Sequence, residues 1–246
     1  MFNLVEKHLQ SLLPGSTLAY LDPWFSAAQS VLASHSHALT QWPDKIRVLP
    51  KGQPQIPPKI DPEVETAVYL ALLEDKQLAL AYRRRNADAA RDYTVSPLGV
   101  VVRDRLIYLV CWHERTIKQL LLHRIQSASV LEAAAERPAN FDLDTYIKSG
   151  EFGWPVGKPS HFKLVADFTH GAAVSLEECP LSADQTIKVI DDENVRITAT
   201  VQNTLELRAW LRGFGDDVEI IKPKALREEF RELAATLVDY YEDEAD

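Results

Sequence analysis

The sequence predicts an α+β protein, with a helical N-terminal segment followed by two β-containing domains. Three observations carry that prediction. Residues 93–112 form two runs of β-branched and aromatic residues around Arg103-Asp104-Arg105, the pattern of a half-buried hairpin. Five prolines fall within residues 50–62, enough to hold that stretch extended as a linker. Residues 161–246 then alternate strand-like and helix-like patterns in the order β-α-β-β-α-β-α.

Taken in order, residues 2–13 place Phe2, Leu4, Val5, Leu9, Leu12 and Leu13 on a helix-like stripe that Pro14-Gly15 ends. Residues 18–32 give a weaker helical pattern with Trp24, Phe25, Ala28, Val31 and Leu32 as its buried face, and residues 45–49 a lone strand. Asp61-Pro62-Glu63 reads as an N-cap with proline at the first helical position, and Val64, Ala67, Val68, Ala71 and Leu72 supply the apolar face. Residues 78–82 are a strand running into Arg83-Arg84-Arg85. The hairpin follows, with Pro97-Leu98-Gly99 breaking or bulging its first arm, then strands over 117–125 and 127–131. So many short strands after one helix fit a small barrel. Residues 141–150 are expected to be a short helix and 151–160 a Gly/Pro loop holding Trp154.

In the last segment, strands are expected over 161–168, 186–190, 195–202 and 218–221, with a short helix over 172–178. Thr204 caps a helix carrying Leu207, Trp210 and Leu211, and Gly213 stops it. Pro223 starts a last helix with Leu226, Phe230, Leu233, Leu237 and Tyr241 on one face. This order is that of a ferredoxin-like α/β sandwich with an added terminal helix. The expected domains are therefore 1–60 (helical segment and linker), 61–135 (barrel), 136–160 (linker) and 161–246 (sandwich).

Charge is the main guide to function. The net charge of −9 argues against general nucleic-acid binding. Residues 82–124 nevertheless hold nine Lys/Arg against four acids, a local surplus of five positive charges. Arg binds phosphate through two hydrogen bonds at once and stacks on bases, and aromatic faces stack bases of any sequence. Strand alternation groups Tyr82 with Arg84, Tyr108 with Trp112, and Lys118 with Arg124, with His123 on the alternate face. The candidate ligand-binding residues are therefore Tyr82, Arg83, Arg84, Arg85, Arg91, Ser96, Tyr108, Trp112, Lys118, His123 and Arg124. The competing reading is a solvated basic rim, with Tyr108 and Trp112 as core.

Signals for other chemistry are lacking. The nine glycines form no phosphate-binding loop, and neither G-x-S-x-G nor H-E-x-x-H occurs. His35 and His37, and His161 and His170, lack partners at metal spacing. The expectation is a binding protein rather than an enzyme, with no metal and no cofactor. Two cysteines, Cys111 and Cys179, make no disulfide framework; no apolar run is long enough for a membrane span, and no signal peptide is visible. The expected compartment is the cytoplasm.

The same residues resemble a known family. The run VSPLGVVVRDRLIYLVCW followed by LLLHRI is similar to a WYL domain, with Ile107-Tyr108-Leu109 at the position of the naming motif and Ile107 in place of its Trp. The run LRAWLRGFGDDVEIIKPKALREEF resembles the extension that follows WYL domains in bacterial transcription regulators, so the likeness covers roughly residues 61–241. It implies an SH3/Sm-like barrel that senses a nucleotide or short nucleic-acid-derived ligand, and a homodimer. Such regulators usually carry a winged helix-turn-helix first. No complete one fits before the proline-rich linker, so operator DNA is expected to be read only by a domain absent from this chain. The sequence-level alternatives are a stand-alone binder of single-stranded nucleic acid and, from another class, an enzyme with an unrecognised site.

Overall fold

The computed structural model describes residues 22–27, 30, 45, 52–53 and 55–242. The expected helix over 2–13 and strand over 45–49 lie outside the described residues, Lys45 apart. Of the second helical pattern, residues 22–27 are helical; Phe25 is buried as expected, whereas Trp24 is 67% exposed. The chain divides into two compact units, Met1–Leu143 and Asp144–Asp246.

In the first unit, helix α1 (Pro62–Leu73) begins at Asp61, whose carboxylate accepts from the Glu63 amide at 2.8 Å. Its buried residues Val64, Val68 and Ala71 recur at four- and three-residue spacing, so one stripe faces the sheet. Five strands follow: β1 (Lys76–Tyr82), β2 (Arg91–Arg103), β3 (Leu106–His113), β4 (Thr116–Leu121) and β5 (Ile125–Ala134). They form one antiparallel sheet in the order β4-β3-β2-β1-β5. Long β2 serves two partners. Residues 91–95 pair with β1 and residues 96–103 with β3, and the register shifts between Pro97 and Gly99. Proline has no amide to give a ladder, so the bulge falls where the sequence placed the break. The hairpin turns at Asp104, whose φ of 54° is a left-handed conformation that Asp tolerates.

Two expectations need correction here. No closed barrel forms, because β4 and β5 are the two edges of the sheet and do not pair with each other. And the strand expected over 117–125 ends at Leu121. Residues Leu122–Arg124 form a 3-10 turn that drives Leu122 into the core and redirects the chain from β3 to β1. The alternation drawn through Leu122, His123 and Arg124 therefore fails. The core is built from α1, the Leu78-Leu80-Tyr82 face of β1, Tyr93 and Val95 of β2, Leu109 and Cys111 of β3, and Leu120, Leu122 and Ile125. Burial pushes the Cys111 thiol up to about 12, with Lys118 pulling the other way, while Cys179 is exposed.

The second unit keeps the expected element order. It begins with short helix α2 (Leu143–Lys148, whose first residue belongs to the first unit). Then come β6 (His161–Thr169), α3 (His170–Glu178), β7 (Thr186–Val189), β8 (Asn194–Gln202), α4 (Leu205–Arg212), β9 (Val218–Lys222) and α5 (Lys224–Tyr241). The sheet is antiparallel with order β7-β8-β6-β9. Thr169 and Thr204 cap α3 and α4 by accepting from the amides of Ala172 and Leu207. Leu164, Ala166 and Phe168 of β6 and Val195, Ile197, Ala199 and Val201 of β8 face a core shared with Leu176, Leu211 and Leu226 of the helices. A polar hub sits beside it. Arg208, 7% exposed, donates to both Glu229 carboxylate oxygens at 2.6 and 3.0 Å, to the Asn203 side chain at 2.9 Å and to the Thr204 carbonyl at 3.0 Å. The Asn203 amide in turn donates to the carbonyls of Val156 and Pro159, tying the 154–160 loop to α4 and α5.

Candidate anion-binding site

The arginines following β1 and the turn preceding β5 meet because those two strands pair. Tyr82 is opposite Ile125, and the Arg83 amide donates to the Arg124 carbonyl at 3.0 Å. The result is a cleft of about 330 Å³ lined by Arg83, Arg84, Arg85, Asn86, Ala87, His123, Arg124 and Gln126. No carboxylate contributes to this wall. Among the described residues, none of the four guanidinium groups makes an ion pair.

Tyr93 anchors one side. Its hydroxyl accepts from Arg84 Nε at 3.1 Å, and the Arg84 guanidinium carbon lies 5.9 Å from the ring centroid. Lys118 Nζ is 5.6 Å from the same ring, within cation–π range. Tyr82 and His113 meet Tyr93 edge-on at 6.3 and 5.2 Å, and His113 Nδ1 lies 2.8 Å from the Thr94 carbonyl oxygen. His123 is distinctive. Its Nδ1 is the one buried side-chain nitrogen or oxygen among the described residues with no hydrogen-bond partner. Burial first, and then the Arg124 charge, lowers its pKa from the ordinary histidine value.

The eleven residues expected at a ligand site thus separate into three groups and one lone residue, Arg91. Arg83, Arg84, Arg85, His123 and Arg124 converge on the cleft. Tyr82 and Lys118 lie behind it around Tyr93; Tyr82 is buried, and its hydroxyl accepts from the Leu121 amide at 3.4 Å. Ser96, Tyr108 and Trp112 are elsewhere. Trp112 pairs with Ser96 and with Ile117, whereas Lys118 pairs with Cys111, so these rings point from the face of β3 opposite Lys118. Tyr108 is buried, and the buried Ser96 hydroxyl accepts from the Glu136 amide at 2.9 Å. Arg91 is exposed at the start of β2, outside the cleft wall. Tyr93 was missed, although its alternation with Val95 already put it on the buried face of β2. Asn86 and Gln126 carried no signal, because only strand pairing brings them in.

Among the described residues no cluster of three or more His, Cys, Asp or Glu is placed to hold a metal ion, and no helix is long and apolar enough to cross a membrane. Residues 63–130 match the WYL domain and residues 160–238 the WCX domain. A search of curated proteins found no match. Among solved structures, the chain is similar to proteasome accessory factor B/C (PafBC) of Arthrobacter aurescens, at 18% identity and a TM-score of 0.34, over 80% of this chain and 30% of that one. It is also similar to a CRISPR Cas-related protein, at 14% identity and a TM-score of 0.46, over 75% of this chain and 52% of that one. The chain therefore spans about a third and about half of the lengths of these two structures. The two domain matches show that the chain carries a WYL domain followed by a WCX domain.

Proposed function

We propose that this chain is the ligand-sensing and dimerising effector region of a cytoplasmic transcription regulator, binding a nucleotide or short nucleic-acid-derived ligand without catalysing a reaction. The observation that carries this reading is the cleft wall of four guanidiniums, which among the described residues make no ion pair and share the wall with no carboxylate. Uncompensated arginines gathered on one concavity repel one another, and an anion relieves that repulsion while accepting paired hydrogen bonds. On this reading the bent first sheet is an open relative of SH3/Sm-like barrels. The second unit, with its β-α-β-β-α-β order, is a ferredoxin-like sandwich. Ligand binding would favour one arrangement of the regulator and so change operator binding made outside this sequence.

The test is fluorescence polarisation of a labelled single-stranded oligonucleotide at two salt concentrations. The Arg83/Arg85/Arg124-to-Ala variant is expected to bind about 100-fold more weakly, from about 1 kcal/mol per lost contact. Its salt dependence should flatten by about two counterions. Affinity that climbs steadily with strand length would favour the stand-alone strand binder instead. Unchanged affinity in the variant would sink the site.

Dimerisation is assigned to α5. Only Leu226 of that helix is buried, while Leu237, Val238 and Tyr241 are 44%, 54% and 84% exposed near its end. Light scattering is expected to give a dimer for the wild type and a monomer for Leu237→Glu. A wild-type monomer at high concentration would refute the assignment.

A further inference from the structure

The role of Tyr93, which stands behind the cleft, deepens the anion-binding reading above and rests on it. The four wall guanidiniums are not alike. Among the described residues, Arg84 alone of the four has a side-chain hydrogen bond, from its Nε to the Tyr93 hydroxyl at 3.1 Å. The backbone beneath it is held on both sides. The Arg83 amide donates to the Arg124 carbonyl at 3.0 Å, and the Arg84 carbonyl accepts from the Ala87 amide at 3.2 Å. An unheld arginine samples many rotamers and loses that freedom when it grips a ligand, whereas one already held gives up little.

The holder is itself fixed in place. Tyr93 is 9% exposed and belongs to the core of the first unit. Tyr82 and His113 meet its ring edge-on, at interplanar angles of 81° and 67°. A guanidinium can grip an anion through either of two donor pairs, side-on through Nε and one Nη or end-on through Nη1 and Nη2. With Nε given to Tyr93, Arg84 keeps only the end-on pair. Arg84 remains exposed and in the cleft wall, so that pair is the one left for a ligand. We propose that Tyr93 is a positioning residue for the anion site: its hydroxyl holds Arg84 by Nε and presents Nη1 and Nη2 to the bound anion as a preset fork. Arg83, Arg85 and Arg124 supply attraction without a set direction, and Arg84 supplies the directed pair of hydrogen bonds.

The experiment uses the full chain and a fluorescein-labelled oligothymidylate of about ten nucleotides, read by polarisation at two salt concentrations. Tyr93→Phe keeps the ring beside which Arg84 and Lys118 sit and removes only the hydroxyl. It is expected to bind about fivefold more weakly with an unchanged salt dependence, since no charge is lost. Arg84→Ala should bind more weakly still and flatten the salt dependence by about one counterion. In the Arg84→Ala background, Tyr93→Phe should change nothing further, as a residue acting only through Arg84 requires. Thermal melts check that each variant folds. Wild-type affinity in Tyr93→Phe overturns the role and leaves the anion site standing. A loss that persists in the Arg84→Ala background overturns it too, because the hydroxyl would then act without Arg84. A wild type that does not bind the probe overturns both the site and the role.

Discussion

Replacing Arg208 by Ala is expected to destabilise the protein by about 3 kcal/mol. The side chain is a buried hub, with both Glu229 oxygens, the Asn203 side chain and the Thr204 carbonyl on one guanidinium. Deleting it leaves the Asn203 oxygen and the Thr204 carbonyl without this donor, in surroundings where each lost partner costs about 1–3 kcal/mol. Glu229 suffers less, since its side chain is 41% exposed and can turn to water. This holds the estimate at the lower end for a broken buried pair. The hydrogen bond from Arg208 is also the main cause holding the Glu229 carboxyl below its usual 4.5. A depressed carboxyl stabilises the fold above that value, and the contribution is lost as pH falls below it. Urea unfolding of wild type and variant at pH 7 and pH 4 should show the gap narrowing at the lower pH. A loss under about 1 kcal/mol at pH 7 would show that the hub is dispensable.

Truncating Phe168 to Ala is expected to cost about 3–5 kcal/mol. The ring is fully buried near the C-terminal end of β6, 5.3 Å from the Phe214 ring and 6.4 Å from that of Trp210. Phe214 and Trp210 also stack edge-on at 4.8 Å, so one truncation opens a gap under an aromatic trio. The hole cannot collapse easily, because Ala166 and Phe168 on the same strand face are held by ladders to β8 and β9 on either side. Phe168→Leu, which keeps most of the volume, should cost less than about 1.5 kcal/mol. Chemical denaturation gives both values, and near-ultraviolet circular dichroism should report loosening around Trp210. Equal losses for the two substitutions would mean that packing volume is not what Phe168 contributes.

Local patterning made much of the fold legible. The α1 cap at Asp61-Pro62, the bulge at Pro97-Leu98-Gly99 and the Thr204 cap are each written within a few neighbouring residues, and each occurs where expected. The turn at Leu122–Arg124 was hidden, because an apolar residue at 122 satisfies strand alternation equally well. The candidate site was half legible for a related reason. Arg83–Arg85 stand out in any reading of composition, but their meeting with His123 and Arg124 depends on which strand β1 chooses beyond β2. Register also decided the aromatics. Lys118 opposite Cys111 rather than Trp112 puts its ammonium over Tyr93, behind the cleft, and leaves Tyr108 and Trp112 on the other face of β3.

The β1–β5 pairing has a kinetic consequence. β2, β3 and β4 join through short turns and can zip locally within microseconds once their residues exist. β1 must instead hold its outer edge open until β5 arrives, with the whole β2–β4 meander between them, a contact of high sequence separation. A ribosome-bound chain that has not yet exposed Ile125 therefore carries the three arginines but no concavity. The cleft that we propose as an anion site is thus a late product of folding, absent from partly assembled chains, and a ligand that binds only the completed cleft would favour it by mass action.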